Sequence, residues 1–119
     1  MRNILLTVES LEFGEILTVE NFSGFPLLQG YSEEEICYVI LRLDEAEYFP
    51  ENSVIKLLNG TRFTITSLTW DGHQFLDCIR DEEVWEKTRR KSSKFGSTPV
   101  KILAEIAMSI IRSGVGLPF

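Results

Sequence analysis

The residues best suited to chemistry lie between Ser67 and Lys87, in the stretch SLTWDGHQFLDCIRDEEVWEK. It contains the only histidine of the chain, His73. Carboxylates stand on both sides of that histidine in sequence, among them Asp71, Asp77, Asp81, Glu82 and Glu83. On a helix, His73 and Asp77 would share one face because they are four residues apart. An imidazole beside a carboxylate can ligate a metal ion or transfer a proton.

The rest of the chain does not complete such a site. A zinc site needs four N, S or O donors, and there is no second histidine. Cys78 would point about 140° away from His73 on a helix with ~100° per residue. The sequence contains no GxSxG, HExxH or Gly-rich phosphate loop. We therefore expect no catalytic residue, no metal ligand and no cofactor, and a metal-dependent enzyme is only the third alternative.

A structural interpretation accounts for more of the same residues. Asp71 favours a helix N-terminus, and Gly72 permits close approach between the helix start and the preceding strand. His73, Asp77 and Arg80 are predicted to form a hydrogen-bonded or ion-paired row on a solvent-exposed helix face. Thr69 is the expected N-cap of this helix, and Asp81 is the expected N-cap of the next one.

The elements before this stretch alternate between helix and strand. Apolar spacing predicts a first helix over residues 2 to about 11, followed by a short strand and an irregular connection. Ser32 and Glu35 are spaced as a capping box, which predicts a helix over Ser32–Ala46. Two runs rich in β-branched residues, Val54–Leu58 and Thr61–Leu68, predict a hairpin. Asn59-Gly60 between them favours a type I′ turn.

The last predicted helix begins with Thr98 as N-cap and Pro99 at its first position. Its polar residues form a narrow stripe: Lys101, Glu105, Ser109 and Arg112. The rest of the helix is apolar, and one chain usually covers only one side of such a helix. The sequence therefore predicts a homodimer through four residues: Ile102, Leu103, Ile106 and Ile110.

Composition places the chain among ordinary globular proteins. With 119 residues, 44% of them hydrophobic, it is expected to form a single domain over 1–119, with a core over about 1–80 and a helical extension over about 81–113. No apolar run approaches the ~20 residues of a membrane span, and no signal peptide is evident, so we expect a cytoplasmic protein without a membrane partner. Cys37 and Cys78 lack CxxC spacing and are expected to be buried, reduced thiols.

The net charge of −6 conceals a difference between the two ends of the chain. Residues 1–86 carry 17 Asp and Glu against 5 Lys and Arg, a net of −12, whereas residues 87–119 carry 1 against 7, a net of +6. Such asymmetry favours a basic segment that meets phosphate or an acidic protein surface. A milder alternative is that these cations lie at the end of a helix, where the macrodipole favours them.

Two patterns resemble known families. Leu68-Thr69 followed by Gly72 and Leu76 resembles the L-T-x-x-G-x-x-x-L signature of winged-helix regulators of the PadR and MarR type. LTWDGHQFLDCIRDEEVWEK and GYSEEEICYVILRLDEAEYF together resemble a family of short bacterial and phage proteins, domain of unknown function two-five-one-three. This resemblance covers about Ile16 to Ile111. It implies an α+β, mainly helical fold with a winged helix-turn-helix-like core, a β-hairpin wing and added C-terminal helices, in which only FPLLQGYS replaces the usual first helix of the helix-turn-helix.

The winged-helix resemblance implies a DNA-binding or transcription-regulatory protein without catalysis, with double-stranded DNA as its partner. In such proteins the helix before the wing enters the major groove and the wing contacts the backbone. The cations on the corresponding elements, and on the basic segment that follows, are the expected nucleic-acid contacts: Arg42, Lys56, Arg62, Lys87, Arg89, Arg90, Lys91 and Lys94. The glutamates around Arg42 would repel phosphate, so the alternative is an adaptor that binds a protein through an acidic face.

Overall fold

The described residues form mainly helices, together with one small sheet. The structure is a computed structural model, and it describes residues 1–93 and 98–114. The elements are α1 (Arg2–Glu9), β1 (Leu17–Thr18), α2 (Glu33–Glu45), β2 (Val54–Leu57), β3 (Gly60–Ile65), α3 (Trp70–Ile79), α4 (Glu82–Ser92) and α5 (Val100–Gly114). Two 3₁₀ turns, Phe22–Gly24 and Pro26–Leu28, connect β1 to α2. The predicted α+β, mainly helical class is confirmed.

The chain divides into two compact units, Met1–His73 and Gln74–Phe119. The first contains the sheet, α1, α2 and the start of α3, and the second contains the rest of α3 with α4 and α5. Organisation as a single domain stays a prediction.

The sheet of the first unit has the strand order β1-β3-β2, and both pairings are antiparallel. Leu17 of β1 pairs with Ile65 of β3, and neither is exposed to solvent. On β3, Phe63 and Ile65 are buried whereas Arg62 and Thr64 are exposed. This alternation is the pattern of a strand with one face on a core. The central strand β3 therefore contributes Phe63 and Ile65 to the core of the first unit.

The hairpin was predicted correctly, but its turn was not. Leu57 pairs with Gly60, so the two turn residues are Leu58 and Asn59 instead of Asn59 and Gly60. Gly60 begins β3 with a φ of +151°, and Asn59 does not have the positive φ that a type I′ turn centred on Asn59-Gly60 requires. β3 also ends at Ile65, short of the predicted Leu68.

Helix α2 confirms its capping prediction. The Ser32 hydroxyl accepts a hydrogen bond from the Glu35 N–H at 3.1 Å, and the Glu35 carboxylate accepts one from the Ser32 N–H at 3.0 Å. The buried positions Ile36, Ile40 and Leu43 recur at helical spacing and form the inner face. The same helix therefore presents its other face to solvent.

The start of α3 is fixed by residues far away in sequence. The Thr69 hydroxyl donates to the Glu47 carbonyl at 2.8 Å and accepts from the Gly72 N–H at 3.2 Å, which confirms Thr69 as a cap. The Thr69 N–H donates to the Tyr48 carbonyl at 3.0 Å. A Cβ on Gly72 would lie 2.6 Å from that same carbonyl oxygen. Gly72 is therefore required by a close approach between the helix and the Glu47–Tyr48 backbone, although the contact is not with the preceding strand.

In the second unit, α4 and α5 pack against each other. The Asp81 carboxylate accepts hydrogen bonds from the N–H groups of Glu83 and Val84, which confirms it as the cap of α4. The buried positions of α4 are Val84 and Thr88. The buried positions of α5 form one stripe: Val100, Leu103, Ala107 and Ile110. α5 begins at Val100, one residue after the predicted Pro99, and α1 ends at Glu9 instead of near Leu11.

Candidate interaction surface

The exposed face of α2 is acidic. Its outward carboxylates are Glu33, Glu34, Glu35 and Glu45. Tyr38 lies among them and is 57% exposed. Burial raises the pKa of the neighbouring Asp44 carboxyl, and the charge of Glu45 raises it further. The face therefore combines one exposed aromatic ring with a concentration of negative charge.

Arg42, the predicted DNA contact on this helix, is already engaged. Its guanidinium forms an ion pair with the Glu45 carboxylate at 2.6 Å. The same group lies over the Tyr38 ring, 5.4 Å from its centre. Although exposed pairs of this kind contribute little to stability, Arg42 does not present a free cation. A nucleic acid approaching α2 would meet carboxylates first.

The hairpin places the two cations that were expected to contact phosphate, Lys56 and Arg62, on different faces. Lys56 pairs with Thr61, whereas Arg62 pairs with Ile55. Because neighbouring residues of a strand point to opposite faces, Lys56 and Arg62 lie on opposite faces of the hairpin. Neither forms an ion pair with a residue that the structure describes. Both cations are available, but to different partners.

The hairpin also exposes apolar side chains. Ile55 is 50% exposed and Leu57 is 47% exposed, and both lie on the face that carries Arg62. Leu58, in the turn, is fully exposed. Contiguous exposed apolar side chains mark interaction sites more often than isolated ones do. A surface made for phosphate would not need them.

The basic helix α4 neutralises most of its own charge. Lys87 pairs with Glu83 at 3.2 Å, Arg89 pairs with Glu86, and Arg90 reaches Glu86 at 3.5 Å. Arg89 also lies over the Trp85 ring at 5.7 Å. Lys91 is exposed and forms no ion pair with a described residue. Lys94 falls outside the described residues.

Burial within the chain leaves only part of the predicted dimer surface of α5 accessible. Leu103 and Ile110 are buried within the chain itself, at 8% and 5% exposure. Ile106 is half-buried and Ile102 is 41% exposed. Two of the four predicted interface residues are therefore already packed, and the other two retain accessible surface.

The stretch around His73 contains no assembled chemical site among the described residues. Arg80 donates to the Asp77 carboxylate at 2.9 Å, but the His73 side chain forms no hydrogen bond with a described residue. In residues 1–93 and 98–114 no three His, Cys, Asp or Glu side chains come together to hold a metal ion. Trp70, next to the cap Thr69, is 75% exposed.

The two cysteines are free thiols, and each is half-buried instead of buried as expected. Burial raises the pKa of the Cys37 thiol, and the charge of Glu33 adds to the rise. Burial and Asp77 raise the pKa of the Cys78 thiol, while Arg112 opposes them. A raised pKa reduces the thiolate fraction and with it the reactivity.

Sequence reasoning missed the exposed apolar residues. Phe13 is fully exposed beside Gly14, whose φ is +91°, in the loop between α1 and β1. Ile55 and Leu57 could have been found, because they alternate around Lys56 in a run predicted as a strand. Leu58 could not have been assigned to the turn once Asn59-Gly60 was placed there.

Residues 1–98 match the model of a family described as Hypothetical protein (DUF2513), and the chain belongs to that family. No curated protein and no solved structure shows a significant match to the chain. Within the described residues, the helices are too short or too polar to cross a bilayer.

Proposed function

We propose that this chain is a winged-helix-like regulatory module that binds a partner protein through the acidic face of α2. The partner surface would be basic and would carry an apolar pocket for Tyr38. The observation that carries the proposal is the charge of α2, whose exposed glutamates surround an arginine already paired with Glu45. Complementary charge favours encounter with a basic surface and discriminates against other partners.

The winged-helix part of the proposal rests on topology. A helix, α2, directly precedes the β2–β3 hairpin, and β3 lies between β2 and the distant strand β1. This arrangement supports a winged helix in which α2 would take the place of the recognition helix and the hairpin would be the wing. The two 3₁₀ turns would occupy the place of the usual preceding helix.

The free thiols Cys37 and Cys78 are compatible with the reducing, cytoplasmic location expected from the sequence.

Panning of a displayed library of random peptides against the full chain tests the acidic face. We expect enrichment of peptides rich in Lys and Arg, and about tenfold weaker binding of them by the variant Glu34→Lys. Glu20→Lys is the matched control, since it makes the same charge change at an exposed site outside α2. Basic peptides that bind both variants equally would contradict a site on α2.

DNA binding is the second candidate, because the strand order is compatible with a wing and because Lys56, Arg62 and Lys91 have no ion-pair partner among described residues. Fluorescence anisotropy with a random DNA duplex at low and moderate salt tests it. If DNA is the partner, Lys56→Glu with Arg62→Glu lowers the affinity and flattens the salt dependence. Arg89→Glu with Arg90→Glu then has a smaller effect, because Glu86 already engages both arginines.

A homodimer through α5 is a separate proposal, centred on the two residues that are not packed within the chain, Ile102 and Ile106. Sedimentation equilibrium at micromolar concentration gives about twice 13.6 kDa if it forms and 13.6 kDa if it does not. Loss of the larger mass on Ile106→Glu, without unfolding, would assign the interface to α5.

A further inference from the structure

Strand β2 forms one edge of the sheet, and the direction of its backbone groups follows from the pairing. The Thr64 N–H donates to the Ser53 carbonyl at 2.8 Å, so Ser53 and Thr64 form a hydrogen-bonded pair. Such pairs alternate along an antiparallel ladder. The next ones are Ile55 with Arg62 and Leu57 with Gly60. The N–H and C=O groups of Val54 and Lys56 therefore point away from β3, toward the open edge.

No described strand pairs with that edge. β3 is the only strand beside β2 in the described sheet, and no further hydrogen bond reaches Val54 or Lys56 from the described part of the chain. Edge strands with unpaired backbone groups accept an added strand unless bulges, charges or covering elements prevent it. Strand β2 is four residues long and carries one charged residue, Lys56.

The side chains beside this edge define what an added strand would contact. Ile55 and Leu57 flank Lys56 and are both about half exposed. On an added antiparallel strand, the residue paired with Lys56 would lie on the same face of the sheet as the Lys56 side chain. The residues before and after it on the added strand would lie on the opposite face, which carries Ile55 and Leu57. Apolar residues suit those two flanking positions.

Charge determines which residue of the added strand suits the position opposite Lys56. Residues 54–65 contain Lys56 and Arg62 and no carboxylate. Neither cation has an ion-pair partner among the described residues. Opposite charges on directly paired residues stabilise two strands, and like charges destabilise them. An Asp or Glu opposite Lys56 would therefore stabilise the pairing of an added strand with β2.

We infer that the β2 edge binds an extended segment of a partner protein as a fourth, antiparallel strand, and that this segment has the pattern apolar–acidic–apolar. The inference rests on the proposed function only in taking a protein as the partner, because the surface is the hairpin edge and not α2. Main-chain hydrogen bonds to Val54 and Lys56 hold such a segment, and its alternate side chains give specificity.

A second copy of the chain is a poorer occupant. Its β2 offers Val-Ile-Lys-Leu, which contains no carboxylate to set against Lys56. Lysine on an edge strand is also a common device against self-pairing. The bound segment is therefore assigned to another protein.

The test is to pan a displayed library of random peptides against the full chain and to repeat the panning with Lys56→Glu. We expect apolar–acidic–apolar peptides from the wild type and apolar–basic–apolar peptides from Lys56→Glu, whose exposed site tolerates the change. Hydrogen exchange, followed by NMR with an enriched synthetic peptide, should slow about tenfold or more at the amides of Val54 and Lys56.

N-methylation of the enriched peptide provides the matched control. Methylation of the one N–H that faces Lys56 should weaken binding about tenfold, whereas methylation of the next residue, which faces away, should not. The inference is overturned if neither library yields the alternating pattern, or if the enriched peptides leave the two amides unprotected. It is also overturned if those amides are protected without peptide in a species of twice the chain mass.

The variant Glu34→Lys separates this inference from the proposed function. It should weaken the binding of basic peptides by α2 and leave the binding of peptides by the β2 edge unchanged. Either surface can therefore fail its own test while the other passes.

Discussion

Two helices, α2 and α3, begin within the first unit, and they begin in different ways. α2 begins with a capping box, in which Ser32 and Glu35 satisfy each other's backbone N–H groups within one turn. α3 begins with Thr69, whose hydroxyl and N–H bind the carbonyls of Glu47 and Tyr48. One start is local and exposed, and the other is made by two segments that are distant in sequence.

The difference shows which helix starts depend on the rest of the fold. The capping box of α2 can form in an isolated peptide, because all its atoms lie within four residues. The start of α3 exists only when the Glu47–Tyr48 turn is in place, and Glu47 itself has a positive φ of 64°. Damage to α3 should therefore affect the whole unit, whereas damage to α2 should affect mainly its first turn.

The largest effect is expected from Gly72→Ala. The new Cβ would lie 2.6 Å from the Tyr48 carbonyl oxygen, so backbone must move, and the free energy of unfolding should fall by about 3 kcal/mol. Urea unfolding followed by circular dichroism measures it. Gly24→Ala is the control, because a Cβ there meets no atom within 4 Å. Equal stability of the two variants would show that the close approach is not present in solution.

A smaller loss is expected from Thr69→Val, which keeps the side-chain shape but removes the hydroxyl. The Glu47 carbonyl and the Gly72 N–H each lose a partner, so stability should fall by about 1–2 kcal/mol. Thr69→Ser keeps the hydroxyl and should recover most of the loss in the same unfolding experiment. If the serine variant is as unstable as the valine variant, the hydroxyl is not the stabilising group.

Ser32→Ala should cost less, about 1 kcal/mol, because it removes one exposed cap. Hydrogen exchange sharpens the comparison. The variant should speed exchange at the first amides of α2 and leave α3 unchanged, whereas Thr69→Val should speed exchange in both helices. A uniform increase from Ser32→Ala would mean that the start of α2 is not a local feature.

The smallest effect is expected from Glu35→Gln. Hydrogen bonds from the Ser32 backbone N–H and then the Ser32 side chain lower the pKa of the Glu35 carboxyl below its usual 4.5. A lowered folded pKa contributes stability above the unfolded pKa, and that contribution is lost as the pH falls through the folded value. Urea unfolding at about pH 7 and about pH 3 should show that wild type loses more stability than Glu35→Gln, which keeps an acceptor but does not titrate. An identical change with pH would contradict the hydrogen-bonded carboxylate.

Sequence predicted the parts of the fold that are local. The capping box of α2 and the Asp81 cap of α4 each lie within a few residues, and the hairpin strands follow from β-branched runs. Reasoning from Asn59-Gly60 gave the wrong turn, because the observed register, with Leu57 opposite Gly60, differs from the predicted one by two residues and leaves the same side chains on each face. The alternation of buried residues along β3 therefore does not distinguish the two registers. The contact of Gly72 with Tyr48 could not be foreseen, since nothing in the sequence pairs those two residues.

The candidate surfaces were predicted less well for a related reason. Lysines and arginines can be counted in a sequence, but their ion pairs depend on helix register. Arg89 and Arg90 share Glu86, and Arg42 is paired with Glu45, so the cations on α2 and α4 are mostly neutralised by their own helices. On the hairpin, strand alternation places Lys56 and Arg62 on opposite faces.

The two strands beside the central strand β3 differ greatly in their separation from it along the sequence. β2 reaches it through a two-residue turn, whereas β1 must return from Leu17 to Ile65 across α2 and the hairpin itself. Closing a short loop loses little chain entropy, and closing a long one loses more and slows folding. The hairpin should therefore form early, as a nucleus with α2 against it, and the two-residue strand β1 should dock last. In the native protein β1 would also be the first strand of the sheet to detach, which would expose the segment between α1 and α2 to a protease.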